Sequence, residues 1–390
     1  MSGDLATPAG VQPVGRHRRR PTTRSALRGW VVTTLAGVGF LLAALVVASY
    51  FGAAFGVQTA LLAVAVAIIP LGIVIPAFLW LDRFESEPNR LLLGAFLWGA
   101  LFAALVAAVT NTSAIAVLQA SSDPDSALAF TAVTVAPVVE EATKGLFVLF
   151  VWWFRRREFD GITDGMVYAG VTAAGFAFTE NIQYLASAYA DGGGEALGAT
   201  FVARCLLSPF AHPMFTVLTG VGIGVAATSR SWLPRIAGPV VGYGLAVLAH
   251  ALWNLASVTG GQGLVAIYLA VEVPVFIAFV GFVVWARRHE GHLIGQFLRP
   301  YSDAGWLSPG EVSMLASMTR RREARQWARA NGGRVALSSM RAFQDAASEL
   351  ALLRRRMHHE AADAHALDEE RWLLHELTTR RAEFVGLPVT

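Results

Sequence analysis

Lysine and cysteine are nearly absent from this sequence. The only lysine is Lys144, and the only cysteine is Cys205. A single cysteine excludes an intramolecular disulfide and any metal site built from several thiolates. Charged residues are also scarce, at 15% of the chain against about 25% in a soluble domain. Because hydrophobic residues make up 55% of the chain, we expect most of its apolar surface to be buried in a lipid bilayer.

The hydrophobic residues form long uninterrupted runs between residues 27 and 288, where we predict a transmembrane domain. Each run reaches the length of about 20 residues that crosses a bilayer as a helix. The predicted spans are 27–50, 57–81, 91–118, 129–153, 161–187, 200–228, 235–257 and 263–286. The fold class that follows is all-α, a polytopic transmembrane bundle of about eight spans.

Basic residues alternate between the loops that join these spans. They are absent from 51–56, 119–128, 188–199 and 258–262, and present in 82–90, 154–160, 229–234 and the stretch after 286. This is the positive-inside pattern. It supports eight spans in a cell membrane with both termini in the cytoplasm, and the preference for arginine is typical of a GC-rich bacterial genome.

The two ends of the chain differ from the middle. Residues 1–26 are polar and basic, and we predict a disordered cytoplasmic arm. Residues 289–390 are charged and helix-forming, and we predict a helical cytoplasmic tail. In this tail, Ser308 and Glu311 have the spacing of a capping box, which marks a helix start. The predicted helices of the tail begin at this box and end near 330, then cover 335–358 and 364–383.

The fourth span contains three charged residues, Glu140, Glu141 and Lys144. Glu140 lies about 11 residues into the span, roughly 17 Å deep at the rise of an α-helix. Both carboxylates are within helical reach of the lysine. Since adjacent helical residues point about 100° apart, one glutamate can pair with Lys144 while the other faces a cavity. The alternative is a buried ion pair that only fixes helix packing.

Further polar residues occur in the next three spans. Glu180 lies in the fifth, His212 lies near the midplane of the sixth, and His250 and Asn254 share one face of the seventh. Pro213 must loosen the helix beside His212. Each of these residues alone could serve packing or an interface. Arg204 and Glu272 also fall within spans, and the sequence assigns them no partner.

Taken together, these residues lie on four consecutive helices that can form one bundle. Glutamate and histidine can activate water as general bases and stabilise an oxyanion. Two histidines and a glutamate are also a catalytic zinc set. The pattern fits hydrolysis inside the membrane and fits proton-coupled transport nearly as well. A non-catalytic membrane scaffold whose tail binds a partner is a third hypothesis.

The ordered motifs Glu140-Glu141-x-x-Lys144, Phe176-x-x-x-Glu180-Asn181, His212 and His250-x-x-x-Asn254 resemble those of the PrsW family of intramembrane proteases. That family is related to the CAAX prenyl protease and bacteriocin-immunity superfamily, and the resemblance covers roughly residues 70–290. It implies an endopeptidase that acts in the bilayer on membrane-anchored protein substrates, and we expect no nucleic acid partner.

The resemblance also implies roles for the site residues. Glu140 would be the general base, helped by Glu180 or His212, and Glu141 or Lys144 would orient groups and balance charge. His250 and Asn254 would stabilise the oxyanion. A divalent metal such as zinc is a candidate cofactor, and its implied ligands are Glu180, His212 and His250.

Overall fold

The computed structural model describes residues 23–84, 87–156, 159, 161–358 and 365–386. Every regular element in these described ranges is helical, so the predicted all-α class is confirmed. Most of the predicted basic arm, residues 1–22, lies outside the described residues. The chain divides into two compact units, one of residues 38–296 with 315–318 and the other of the remaining described residues.

Among the described residues, the hydrophobic part of the chain forms twelve α-helices, seven of which continue from or into one of four short π-helical segments. The α-helices are α1 (Thr23–Phe55), α2 (Val57–Ala67), α3 (Leu71–Leu81), α4 (Asn89–Leu97), α5 (Ala104–Gln119), α6 (Pro124–Phe130), α7 (Ala136–Phe154), α8 (Ile162–Phe201), α9 (Ala211–Thr228), α10 (Trp232–Thr259), α11 (Gly261–Ile267) and α12 (Val273–Asp303). The π-helical segments are Trp98–Ala103, Thr131–Val135, Val202–Leu207 and Tyr268–Glu272.

Six helical stretches among the described residues are long and apolar enough to cross a membrane. They are Thr33–Phe55, Val57–Leu81, Asn89–Gln119, Ile162–Thr228, Trp232–Thr259 and Val265–Asp303. The predicted count of eight differs because it separates the fifth and sixth spans, which here form one stretch of 67 residues. It also includes the fourth span, whose helix α7 contains Glu140, Glu141 and Lys144. The count of eight stays a prediction.

The segment predicted as a loop at 188–199 is mostly helical. Helix α8 continues through it and breaks only at Gly192 and Gly193, where Gly193 has φ 64°. A residue with a side chain is strained in that left-handed conformation, whereas glycine is not. The direction of the chain therefore changes inside α8 and not in an extended loop.

Helix α8 is the central element of the membrane unit. Its residues 165–176 are all buried. A Cβ atom on Gly165 would lie 2.1 Å from the carbonyl oxygen of Gly220 in α9, and one on Gly222 would lie 2.1 Å from that of Gly238 in α10. Small residues at such crossings let helices pack backbone to backbone in a membrane. This packing brings α8, α9 and α10 close enough to share one polar cluster.

The sixth predicted span is interrupted just before His212. The π-helical segment Val202–Leu207 is followed by Ser208, which has φ −133° and ψ 40°, and α9 begins at Ala211. Pro213 therefore lies in the first turn of α9, where its missing N–H breaks no helical hydrogen bond. The helix is therefore interrupted about one turn before His212.

The second unit contains α13 (Pro309–Leu315), α14 (Met318–His358) and α15 (Ala366–Val385). Both hydrogen bonds of the capping box are present: Ser308 N donates to Glu311 Oε2 at 2.7 Å, and Glu311 N donates to Ser308 Oγ at 3.2 Å. Helix α14 breaks at Gly333, which has φ 64°. The buried core of this unit contains Phe343, Leu350, Leu353, Leu373 and Leu377.

Candidate active site

The carboxylate of Glu141 makes three bonds to other side chains of the membrane unit. Its Oε1 lies 2.5 Å from Lys144 Nζ and 2.9 Å from His250 Nδ1. Its Oε2 accepts a hydrogen bond from Thr216 Oγ1 at 2.7 Å. The side chains of Glu141 and Lys144 are 0% exposed. Because a buried charge is costly unless it is paired, these three bonds make Glu141 a fixed anchor of the cluster.

Glu140 points to a different face of α7 and has an unused oxygen. Its Oε1 accepts a hydrogen bond from Asn111 Nδ2 of α5 at 3.2 Å. Its Oε2 is buried and has no hydrogen-bond partner among the described residues. This Oε2 lies 3.7 Å from His250 Nε2. Of the adjacent pair, Glu141 is thus the partner of Lys144, and Glu140 has an oxygen atom available for chemistry.

His212 lies between the lysine and a third glutamate. Its Nε2 is 2.6 Å from Glu180 Oε2, and its Nδ1 is 3.4 Å from Lys144 Nζ. Glu180 Oε2 also accepts a hydrogen bond from Arg204. The lysine ammonium lies 4.5 Å from the centre of the Phe176 ring. Glu180 therefore faces the histidine from the edge of the cluster and contacts α9 and the π-helical segment before it.

The carboxylates set the orientation of both histidine rings. A carboxylate only accepts hydrogen bonds, so we assign the ring protons to His250 Nδ1, which faces Glu141, and to His212 Nε2, which faces Glu180. The lone pairs are then on His250 Nε2 and His212 Nδ1. Outer carboxylates orient metal-binding histidines in the same way. Both rings present a lone pair toward the interior of the cluster.

Glu140, His212 and His250 form the one group among the described residues that could hold a metal ion. Each offers a ligand atom, and these atoms lie within 4.8 Å of one another. Two histidines and one glutamate are a catalytic zinc set, and the unused Oε2 of Glu140 is a free acceptor inside it. The residues therefore fit a divalent metal. Glu180, expected as a ligand, is not in this group, and its Oε2 bonds His212 and Arg204.

Asn254 donates from Nδ2 to the backbone carbonyl oxygen of Ala132 at 2.7 Å. Ala132 lies in the π-helical segment Thr131–Val135, directly before α7. An irregular helix leaves carbonyl groups that need other donors. Asn254 thus bonds the backbone that supports α7, and the prediction that it stabilises an oxyanion gains no support from this contact.

Two contacts in the cluster were not anticipated from the sequence. Asn111 lies in a short polar stretch, residues 110–113, of an otherwise apolar span, and no motif marks it. Thr216 follows His212 by four residues and therefore shares its helix face, so the spacing in the sequence could have indicated it.

Arg204, which had no assignable partner in the sequence, bonds Glu180 and Asn181. Glu272 is buried at the end of the π-helical segment that precedes α12.

The fold and the site define a class, a helical membrane protein with a buried glutamate and histidine centre of the kind that metal-dependent hydrolases use. Residues 87–283 match the profile of the family described as "PrsW family intramembrane metalloprotease". The match covers half of the chain, and the protein belongs to this family. No solved structure matches.

Similar proteins carry the same family name. The chain is 31% identical over 156 residues to "Protease PrsW" of Geobacillus kaustophilus, covering 40% of this chain and 63% of the relative. It is 30% identical over 158 residues to "Protease PrsW" of Clostridioides difficile, covering 40% of this chain and 61% of the relative. The chain thus spans less than two thirds of the length of these two relatives.

Proposed function

We propose that this protein is an intramembrane endopeptidase that hydrolyses peptide bonds of membrane-anchored protein substrates at the centre formed by Glu140, His212 and His250. The observation that carries the proposal is the buried Oε2 of Glu140, which makes no hydrogen bond within the described ranges and faces a histidine lone pair. A purely structural ion-pair network would use this oxygen. A relationship to the CAAX prenyl protease and bacteriocin-immunity superfamily is part of the proposal.

The reaction requires a base for water and a positive environment for the oxyanion. Glu140 Oε2 has a free lone pair, so it is assigned to accept the proton of the attacking water and to pass it to the leaving amine. Asn111 orients this carboxylate through Oε1. The Lys144 ammonium, held by Glu141, places positive charge next to the histidines. Electrostatic stabilisation of this kind usually lowers the barrier to acyl transfer more than any other single effect.

In the metal-dependent form of this proposal, Glu140, His212 and His250 would hold the divalent metal, with zinc as the candidate, and Glu140 Oε2 would then be a ligand and not the base. When bound there, the metal would supply Lewis-acid polarisation of the substrate carbonyl. In this proposal Glu141 and Glu180 are not ligands, since each orients one histidine by accepting its ring proton. If cleavage persists after full chelation, the metal-dependent form of the proposal is excluded. The glutamate-dependent route, which uses no metal, is then retained.

The test is cleavage by the purified protein in liposomes, with a panel of single-span membrane substrates carrying a fluorescent reporter. Glu140→Gln removes the base but keeps the shape of the side chain, and we expect it to abolish cleavage. Glu195→Gln changes an exposed carboxylate and is the matched control. Full cleavage by Glu140→Gln would contradict the proposal. If the wild type cleaves no substrate but conducts protons, and Glu140→Gln loses this proton flux, the result would support the alternative of a proton-coupled transporter.

The proposed topology has eight spans with both termini in the cytoplasm. It places Ser122 outside the cell and Ser231 inside, and both residues are exposed. Single cysteines at these positions, introduced in a Cys205→Ser background, can be labelled with a reagent that does not cross membranes. We expect Ser122→Cys to react in intact cells and Ser231→Cys to react only after the cells are opened. The reverse result would contradict the topology.

A further inference from the structure

Arg204 is a charged residue inside a predicted span, and the chemistry proposed above does not use it. It lies in the π-helical segment Val202–Leu207. Its side chain is 20% exposed, and that of Glu180 is 18% exposed, whereas His212 is 6% exposed. An arginine within a membrane segment is costly, so such residues are rare and usually paired. The contacts of Arg204 therefore indicate which role it has within the span.

Three groups of α8 hold the guanidinium of Arg204. Its Nε donates to Asn181 Oδ1 at 2.9 Å, and a terminal nitrogen donates to Glu180 Oε2. Its central carbon lies 3.9 Å from the centre of the Tyr184 ring. A planar guanidinium can make a directed hydrogen bond, an ion pair and a stacking contact together, which an ammonium cannot. These contacts determine both the position and the plane of the side chain.

The Glu180 oxygen that Arg204 contacts is the one that faces His212. Oε2 of Glu180 lies 2.6 Å from His212 Nε2, so one oxygen atom receives both donors. Arg204 and His212 reach it from opposite sides of the helical break at Ser208. Glu180 is thereby fixed on one side by α8 and the π-helical segment, and on the other side it fixes the histidine of α9.

We infer that Arg204 is a positioning residue that anchors the Glu180 carboxylate so that it accepts the proton of His212 Nε2 and keeps His212 Nδ1 turned toward Lys144 and the interior of the cluster. This inference rests on the proposed function, because it states what the orientation of His212 serves. Among the described residues, Glu180 is the one carboxylate of the site that Arg204 bonds, so Arg204 acts on the site through it. The alternative is an ion pair that joins two helical segments and has no effect on the histidine.

The experiment uses the full-length protein in detergent or liposomes and compares Arg204→Met, Arg204→Lys and Asn181→Ala. Methionine keeps length and apolar contact but removes the charge and the donors. Lysine keeps the charge but loses the bond to Asn181, and Asn181→Ala removes one anchor while Arg204 remains. Arg235→Met is the matched control, because Arg235 lies on a different helix, outside this cluster.

The first readout is the protonation pattern of the His212 ring, measured by ¹⁵N NMR on histidine-labelled protein without substrate. Its signal is assigned by its loss in His212→Gln. We expect the wild type and Arg235→Met to carry the proton on Nε2, and Arg204→Met to show a mixture of the two ring forms. Because it needs no cleavage, this readout tests the inference even if the proposed peptidase activity is absent.

The second readout is turnover and metal binding. Loss of an outer partner of a metal-binding histidine typically costs about 10–100-fold in activity or metal affinity. We expect Arg204→Met to lose about that factor in kcat and in Zn²⁺ affinity with KM nearly unchanged, and Arg204→Lys to recover part of it. If Arg204→Met does not fold, Arg204→Lys and Asn181→Ala provide the test. An unchanged His212 ring form and unchanged kcat in the folded variants would overturn the inference.

Discussion

His250 Nδ1 lies 2.9 Å from Oε1 of Glu141, and that same oxygen lies 2.5 Å from Lys144 Nζ. One buried carboxylate therefore neutralises the lysine and orients the histidine of another helix. The two tasks are linked, since any change that frees Glu141 from Lys144 also alters the ring of His250. The consequences of this link can be measured separately as stability and as activity.

Glu141→Ala should destabilise the protein by about 3–5 kcal/mol, because it leaves the Lys144 ammonium buried without its counter-ion. The double variant Glu141→Met with Lys144→Met should recover most of that stability, since a buried pair can often be replaced by apolar side chains. It should stay inactive, because His250 has lost its acceptor. Unfolding in detergent and cleavage assays measure the two effects. Recovery of activity in the double variant would contradict the role of Glu141.

Removal of metal should stop cleavage, and its return should restore it. Glu140→Ala and His250→Ala should each abolish activity and weaken Zn²⁺ binding, because each removes one of the three candidate ligands. Equilibrium binding of Zn²⁺ to the purified variants, with Glu195→Ala as the control, measures this directly. If Glu180→Ala weakens binding as much as Glu140→Ala does, and by more than the about 10–100-fold expected for loss of an outer partner, Glu180 belongs to the ligand set as the resemblance first implied.

Asn111→Ala should lower kcat by about tenfold and leave stability within about 1 kcal/mol. The variant removes one hydrogen bond, from Asn111 Nδ2 to Glu140 Oε1, and such a bond contributes about 1 kcal/mol net. It removes at the same time an amide oxygen, Oδ1, that is buried without a partner in the described chain. Asn111→Asp should be worse, because it places two carboxylates against each other. A wild-type kcat in Asn111→Ala would show that Glu140 needs no orientation.

Much of the fold could be predicted from the sequence, because helices that cross a bilayer must be long and apolar. Pattern alone could also find Glu140, Glu141 and Lys144, since charge in an apolar run is conspicuous. It could not decide which glutamate pairs with the lysine, because both lie within helical reach. The two glutamates differ because Thr216 and His250 both bond Glu141, and His250 is 109 residues away from it in sequence.

The placement of Glu180 shows the same limit. Counted along a straight span, it falls near the outer edge, far from the depth of Glu140. Its distance of 2.6 Å from His212 Nε2 depends on the break before α9, which no local signal other than Pro213 indicates. The proposed orientation of His212 depends on this contact, and sequence periodicity cannot supply it.

Asn254→Ala should separate a structural role from a catalytic one. Its amide supports the carbonyl of Ala132, so the variant should lose about 1 kcal/mol of stability and less than about tenfold in kcat. Removal of a true oxyanion donor costs about 10²–10³ in kcat. Measuring kcat together with the unfolding free energy distinguishes the two. A loss of kcat in the larger range, with stability intact, would return Asn254 to the oxyanion role.

Asp82 should make stability depend on pH in the direction opposite to that of most carboxylates. It lies just after α3 and is buried, its Oδ2 accepts the backbone N–H of Glu87 at 2.9 Å, and burial raises its pKa from 3.8 to about 8. The folded state then holds a proton that the unfolded state has released. The contribution of Asp82 to the free energy of unfolding is therefore largest below about pH 4. It falls as the pH rises from about 4 to 8 and is constant above that range.

The measurement is the unfolding free energy of the wild type minus that of Asp82→Asn, taken from about pH 3 to about pH 9 so that it brackets both pKa values. Asparagine keeps the carbonyl acceptor for Glu87 but cannot titrate, so the difference isolates the carboxyl group. It should decrease by at most about 1.4 kcal/mol per pH unit between about pH 4 and pH 8. Asp125→Asn, at an exposed position, is the matched control. A flat difference for Asp82→Asn would mean that the carboxyl group is ionised in the folded protein, with its burial compensated by a cation.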